Sequence, residues 1–172
     1  MEEQPVRRLI LSITAAAVVL GMVASPVAAR TAPPVNIVEK AIAVNAQSGE
    51  FSTLIAAVLA ADAAVYDTLT KQRQLTVFAP TDAAFADAGL NAGNVAKLGK
   101  DALTNILLYH VAPGARYAAD VVSSSQIRTL QRGFLEVSVK GEDAYVNDSK
   151  IIGTDIKVTN GVIHVIDAVL MP

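Results

Sequence analysis

Imidazole is the side chain best suited to move a proton or hold a metal near neutral pH, and this 172-residue chain carries two, His110 and His164. A metal centre would need further ligands close by. His110 has none within a helical turn, and Asp167, three residues beyond His164, would face the opposite side of a strand. A Ser–His–Asp hydrolase needs its serine on an exposed, strained turn such as G-x-S-x-G, and no serine here has that setting. There is no Gly-rich phosphate loop, and without cysteine there is no thiol nucleophile, thiolate ligand or disulfide. The residues predict no enzyme, no metal centre and no cofactor.

Both histidines fit a structural role instead. In a helix starting near Asp101, His110 shares a stripe with Leu103, Ile106, Leu107 and Val111 and faces the core. Tyr109 projects about 100° away, which would leave it partly exposed, but Leu108 beside it suggests that this face is also covered. His164 shares a strand face with Val162 and Ile166, while Ile163 and Val165 form the other face. A strand apolar on both faces is buried on both. Both imidazoles are expected to be neutral, each with a hydrogen bond to satisfy it.

The elements that would position these side chains fall into two halves. Helical spacing runs over Asn36–Asn45, with Asn36 as N-cap and Ser48-Gly49 as the break. It resumes from Phe51, with Leu54, Ile55, Val58 and Leu59 on one stripe and Ser52 as a candidate cap, and again after Asp62 through Val65, Tyr66 and Leu69. Leu75–Ala79 reads as a buried strand ended by Pro80, with Thr81 or Asp82 capping a short helix. A loop from Gly89 to Gly99 leads to the Asp101 helix, which Pro113-Gly114 closes, and a short helix over Ala118–Val122 follows. From Ile127 the period becomes two. Phe134–Lys140, Ala144–Val146, Lys150–Val158 and Val162–Leu170 read as strands separated by turn-rich residues. Asn160-Gly161 predicts a tight hairpin with positive φ at both positions. Helices first and an antiparallel meander last make an α+β fold.

The front of the chain reads as an address. Arg7-Arg8 precede an apolar run from Leu9 to Ala24, and Val27-Ala28-Ala29 offers the small residues of a cleavage site. Residues 1–29 are expected to be a signal peptide, 30–35 a linker with Pro33-Pro34, and 36–172 the domain. A retained anchor and twin-arginine export are the alternatives; the run is shorter than a bilayer span requires. The formal net charge is −2, with the basic residues scattered and no tryptophan. This disfavours nucleic acid and anionic membrane surfaces as partners and offers no stacking platform. A monomer without membrane insertion after cleavage is expected.

Three blocks carry a family resemblance: LTVFAPTDAAF (Leu75 to Phe85), LLYHVAPG (Leu107 to Gly114) and NGVIHVIDAVLMP (Asn160 to Pro172). In that order and spacing they resemble the signatures of the fasciclin domain, and FSTLIAAVLAA and the TLQRG turn (Thr129 to Gly133) fit as well. The resemblance covers about Asn36 to Pro172. It implies a β-wedge or sandwich of antiparallel strands flanked by several helices, in a secreted or surface-bound, non-catalytic protein associated with adhesion and matrix contact. It also implies adhesion residues at Tyr109 and His110 and at Asp155 and Ile156, although Gly153-Thr154-Asp155-Ile156-Lys157 departs from the animal pattern. Thr81, Asp82, His164, Asn160 and Gly161 would then be structural.

The expected function is that of a secreted or periplasmic module binding a protein or cell-surface component. The alternative is a carrier of an apolar small molecule such as a carotenoid, which some proteins of this kind bind. Asn147-Asp148-Ser149 is a glycosylation sequon only in a eukaryotic host.

Overall fold

The computed structural model describes residues 35–71 and 74–172. The expected signal peptide and nearly all of the expected linker lie outside the described residues. Among the described residues, six α-helices precede or interleave with seven strands: α1 (Ile37–Ser48), α2 (Ser52–Ala60), α3 (Ala63–Lys71), β1 (Leu75–Pro80), α4 (Asp82–Asp87), α5 (Lys100–Tyr109), β2 (Val111–Pro113), α6 (Ala118–Ser123), β3 (Gln126–Arg128), β4 (Phe134–Lys140), β5 (Asp143–Val146), β6 (Ser149–Val158) and β7 (Gly161–Ile166). A 3-10 turn, Val95–Leu98, sits in the loop before α5.

The strands form one sheet in the order β2-β1-β7-β6-β5-β4-β3. The meander from β3 to β7 is antiparallel, as its turn-separated alternation predicts. The sheet as a whole is mixed, because β1 pairs with β7 in parallel, with Leu75 opposite Gly161 and Phe78 opposite His164. That departs from the all-antiparallel expectation. A strand pair separated by more than eighty residues leaves no local turn signal, so its direction was not legible from the sequence.

The parallel pair β1 and β7 divides the core. Leu75, Val77 and Ala79 of β1 and Ile163 of β7 pack against the helices with Leu54, Val58, Val65, Leu69 and Leu107. Phe78 and Ile166 face the other way, onto Ile127, Leu135, Val146, Ile151 and Leu170. The two-faced apolar pattern of residues 162–166 is thus a strand between two clusters.

Local joints follow from capping chemistry. Asn36 caps α1 in a reciprocal box with Glu39, and Gly49 ends that helix in the left-handed region. Thr81 caps α4 by accepting the Ala84 amide. Asp82 does something the local reading missed: its carboxylate accepts the Ser52 and Thr53 amides at 3.1 and 2.7 Å, capping α2 from thirty residues away. Ser52, the candidate cap, is instead the first residue of α2.

Three boundaries differ from expectation. Helix α5 stops at Tyr109, and Val111–Pro113 form strand β2 rather than a helical end. The final strand stops at Ile166, short of the Leu170 expected. The β6–β7 hairpin pairs Val158 with Gly161, so its two-residue loop is Thr159-Asn160, and neither residue has positive φ. Gly161 is demanded by a close approach: a Cβ there would lie 1.9 Å from the Leu75 carbonyl oxygen. Asn160 is buried and bridges two distant backbone groups, its Oδ1 accepting the Ile37 amide at 3.0 Å and its Nδ2 donating to the Leu69 carbonyl at 2.6 Å.

Candidate binding site

The tyrosine–histidine segment forms a joint between the helices and the sheet. Tyr109 ends α5 and is only 8% exposed, on the face that Leu108 beside it suggested is covered. Its hydroxyl donates to the Phe134 carbonyl at 3.0 Å and accepts from Asn147 Nδ2 at 3.3 Å. The 129–133 turn lies so near the ring that a Cβ at Gly133 would come within 2.7 Å of it. The turn before β4 folds over this side of α5 and supplies the cover. The Tyr109 hydroxyl also occupies the sequon, since it engages the Asn147 amide, and Ser149 is buried.

His110 is buried at the C-terminal end of α5. Its Nδ1 donates to the Ile106 carbonyl at 2.8 Å, leaving Nε2 to accept the Leu170 amide at 3.0 Å. Those two bonds define the Nδ1-protonated neutral tautomer. Burial lowers its pKa from 6.5 to about 4, with the bond to Ile106 acting in the opposite direction. His110 ties the chain's last residues to a helix and presents no free nitrogen.

His164 has the opposite tautomer. Its Nε2 donates to the Arg116 carbonyl at 2.8 Å, and its Nδ1 accepts the Asp155 amide at 3.4 Å. The ring is wholly buried and stacks on Phe78 with centroids 5.7 Å apart. Burial lowers its pKa, while the bond to Arg116 and the Asp155 charge oppose the shift.

Asp155 is exposed and sits in a bulge, within the register shift of β6 against β7 between Gly153 and Ile156, with φ of 58°. Its Oδ1 accepts the Ala118 amide at 2.8 Å, at the start of α6. Ile156 is half-buried and packs against the helical cluster rather than standing free. The structure therefore joins Asp155 to His164, whereas Tyr109 and His110 are tied to β4 and the C-terminal tail. Of the four residues taken from the resemblance, Asp155 alone is exposed.

An apolar groove runs between α1, α2, α3 and β1; the aliphatic, Ala-rich sequence allowed for a surface groove between helices without naming its lining. Ile37, Val38, Leu54, Val58, Leu69 and Val77 line a cavity of about 130 Å³. Leu59 stands 71% exposed, Ile42 50% and Tyr66 43% along the same groove. Leu59 is exposed although helical spacing puts it on one stripe with Leu54, Ile55 and Val58. The available signal was the composition of α2, STLIAAVLA, which is apolar nearly all round although a helix docked on one side needs only one apolar face. Among the described residues no group of three or more His, Asp or Glu could hold a metal ion.

This combination is a two-faced mixed sheet with a helical layer, its motif polar residues spent on backbone groups. The Fasciclin domain family model matches residues 49–172, and the chain belongs to that family, which is associated with adhesion and binding and is generally non-catalytic. The chain is 44% identical over 135 residues to Protein sll1483 of Synechocystis sp. (strain ATCC 27184 / PCC 6803 / Kazusa), covering 76% of this chain and 72% of that protein. It is 36% identical over 126 residues to Immunogenic protein MPT70 of Mycobacterium tuberculosis, covering 72% of this chain and 64% of that protein. It is 37% identical over 122 residues to Transforming growth factor-beta-induced protein ig-h3 of Sus scrofa, covering 71% of this chain but 18% of that much longer protein. Among solved structures, a FAS1 domain pair from the insect cell adhesion molecule Fasciclin I superposes with a TM-score of 0.54 at 22% identity, covering 66% of this chain and 42% of that one. That likeness establishes the fold.

Proposed function

We propose that this chain is a secreted or periplasmic, non-catalytic binding module that engages a protein or cell-surface component through its helical face. The observation that carries the reading is the line of Ile42, Leu59 and Tyr66 exposed along an apolar groove. Large apolar side chains grouped on one surface cost solubility and mark contact sites. Tyr109 and His110 have their polar atoms bound within the domain, which turns the reading away from the tyrosine–histidine segment. The test is retention of native-envelope components by the immobilised protein and by Leu59→Asp and Ile42→Asp variants. Both variants are expected to lose retention while melting at the wild-type temperature. Full retention by both would remove the helical face from the reading.

The same groove favours a second reading, a carrier of an apolar small molecule such as a carotenoid. A cavity of about 130 Å³ matches in size one that accepts a single ring. A longer apolar ligand would seat one end there and run along Ile42 and Leu59. Incubation with carotenoid followed by gel filtration tests it: co-eluting visible absorbance supports the carrier, and colourless protein removes it.

A further inference from the structure

The buried joint around His164 contains a conformational device. His164 holds two segments with its two nitrogens, the loop before α6 through the Arg116 carbonyl and the β6 bulge through the Asp155 amide. The same bulge is fastened to α6 a second time, because the Asp155 carboxylate accepts the Ala118 amide. Asp155 keeps a left-handed backbone that side-chain-bearing residues adopt at a cost, so these fastenings hold it there. The loop is fixed from β1 too: Thr76 Oγ1 accepts the Arg116 amide at 2.8 Å and donates to the Gly114 carbonyl at 2.7 Å.

The charged groups around the ring are few. β6 contributes the Asp155 carboxylate, and the loop contributes Arg116, whose Nε is buried without a hydrogen-bond partner. β1 contributes the uncharged Phe78 ring. Further out at the same joint, Lys157 stands 5.2 Å over the Tyr117 ring and Asp120 accepts the Tyr117 amide.

A proton added to His164 can go only to Nδ1, since Nε2 already carries one. Nδ1–H would then face the Asp155 N–H, donor against donor, with the Asp155 carboxylate as the anionic acceptor beside it. We propose that His164, Asp155 and Ala118 form an acid-operated latch. On protonation, the Asp155 carboxylate leaves the Ala118 amide for the imidazolium, and the β6 bulge separates from the first turn of α6. Acid thereby changes how Asp155 and Ile156 are displayed. The latch stands whether or not those residues contact a partner, because its readout is local.

The test is an NMR titration of ¹⁵N-labelled protein obtained by expressing the full chain, from about pH 7 to about pH 4. The His164 ring nitrogens and the Asp155 and Ala118 amides should move with one midpoint below 6.5. Ala118 should lose about tenfold in exchange protection beyond the intrinsic effect of pH. In Asp155→Asn the carboxamide oxygen still takes the Ala118 amide but carries no charge, so Ala118 should stay protected while His164 titrates. The Leu170 amide reports His110 separately. The latch is overturned if Asp155 and Ala118 stay fixed while His164 titrates, if the domain unfolds before His164 takes up a proton, or if Asp155→Asn releases Ala118 in step with His164.

Discussion

Lowering the pH through the titration of His110 should destabilise this domain by an amount the structure sets. His110 is buried, its pKa falls from 6.5 to about 4, and its Nε2 lone pair holds the Leu170 amide. The unfolded chain therefore binds the proton more readily than the folded one. The resulting stability is present in full above 6.5 and is lost progressively as the pH falls towards 4. At about 1.4 kcal/mol per pH unit, the difference between 6.5 and about 4 is worth about 3 kcal/mol. Full burial leaves no solvent screening to discount. The control is His110→Gln, whose side-chain oxygen can still accept from Leu170 but cannot titrate. Urea unfolding at a series of pH values, read as the difference between wild type and variant, cancels the common contribution of the carboxylates. Wild type should lose about 3 kcal/mol more than the variant between neutral pH and pH 4. Parallel stability curves for the two proteins would refute the assignment of His110 as a buried neutral acceptor.

Gly161→Ala would place a methyl group 1.9 Å from the Leu75 carbonyl at the start of the parallel β1–β7 pair, so it should cost more than about 3 kcal/mol or prevent folding, as read by thermal melting. Tyr109→Phe removes a donor to Phe134 and an acceptor for Asn147, for a loss of about 1–2 kcal/mol in urea unfolding, and should leave binding to envelope components unchanged. Asp82→Ala strips two amides at the start of α2 and should cost about 1–2 kcal/mol, with amide exchange rising at Ser52 and Thr53 before the rest of the helix.

Periodicity made most elements legible. The alternation of Phe134–Lys140 and the two-faced run at 162–166 place β4 and β7, and the Asn36 and Gly49 signals bracket α1. What stayed hidden depends on partners distant in sequence. The parallel direction of β1 against β7 joins residues more than eighty apart. Asp82 reads locally as a cap for α4, yet its carboxylate serves α2 because the folded chain brings the start of α2 beside it. Asn-Gly reads as a primed turn, whereas Gly161 is required by the Leu75 backbone and Asn160 by Ile37 and Leu69. Of the candidate site, the burial of both histidines was legible from their apolar neighbours. The residues lining the exposed groove were not, because α2 is apolar on several faces and spacing alone cannot say which is covered.

The polar residues of the three motifs share one physical task. Thr81 takes the Ala84 amide, Asp82 takes Ser52 and Thr53, and Asn160 bridges Ile37 and Leu69. His110 bridges Ile106 and Leu170, and His164 bridges Arg116 and Asp155. Asp167 takes the Lys150 amide. Burying a sheet between two clusters also buries the ends of helices and the loops that join them, and their backbone groups need partners there. Short polar side chains at fixed positions meet that need, which is why such residues recur as a readable signature of the fold. A residue so occupied has little left to offer a ligand. Leu59 and Ile42 carry no such duty, and the proposed reading assigns recognition to them for that reason.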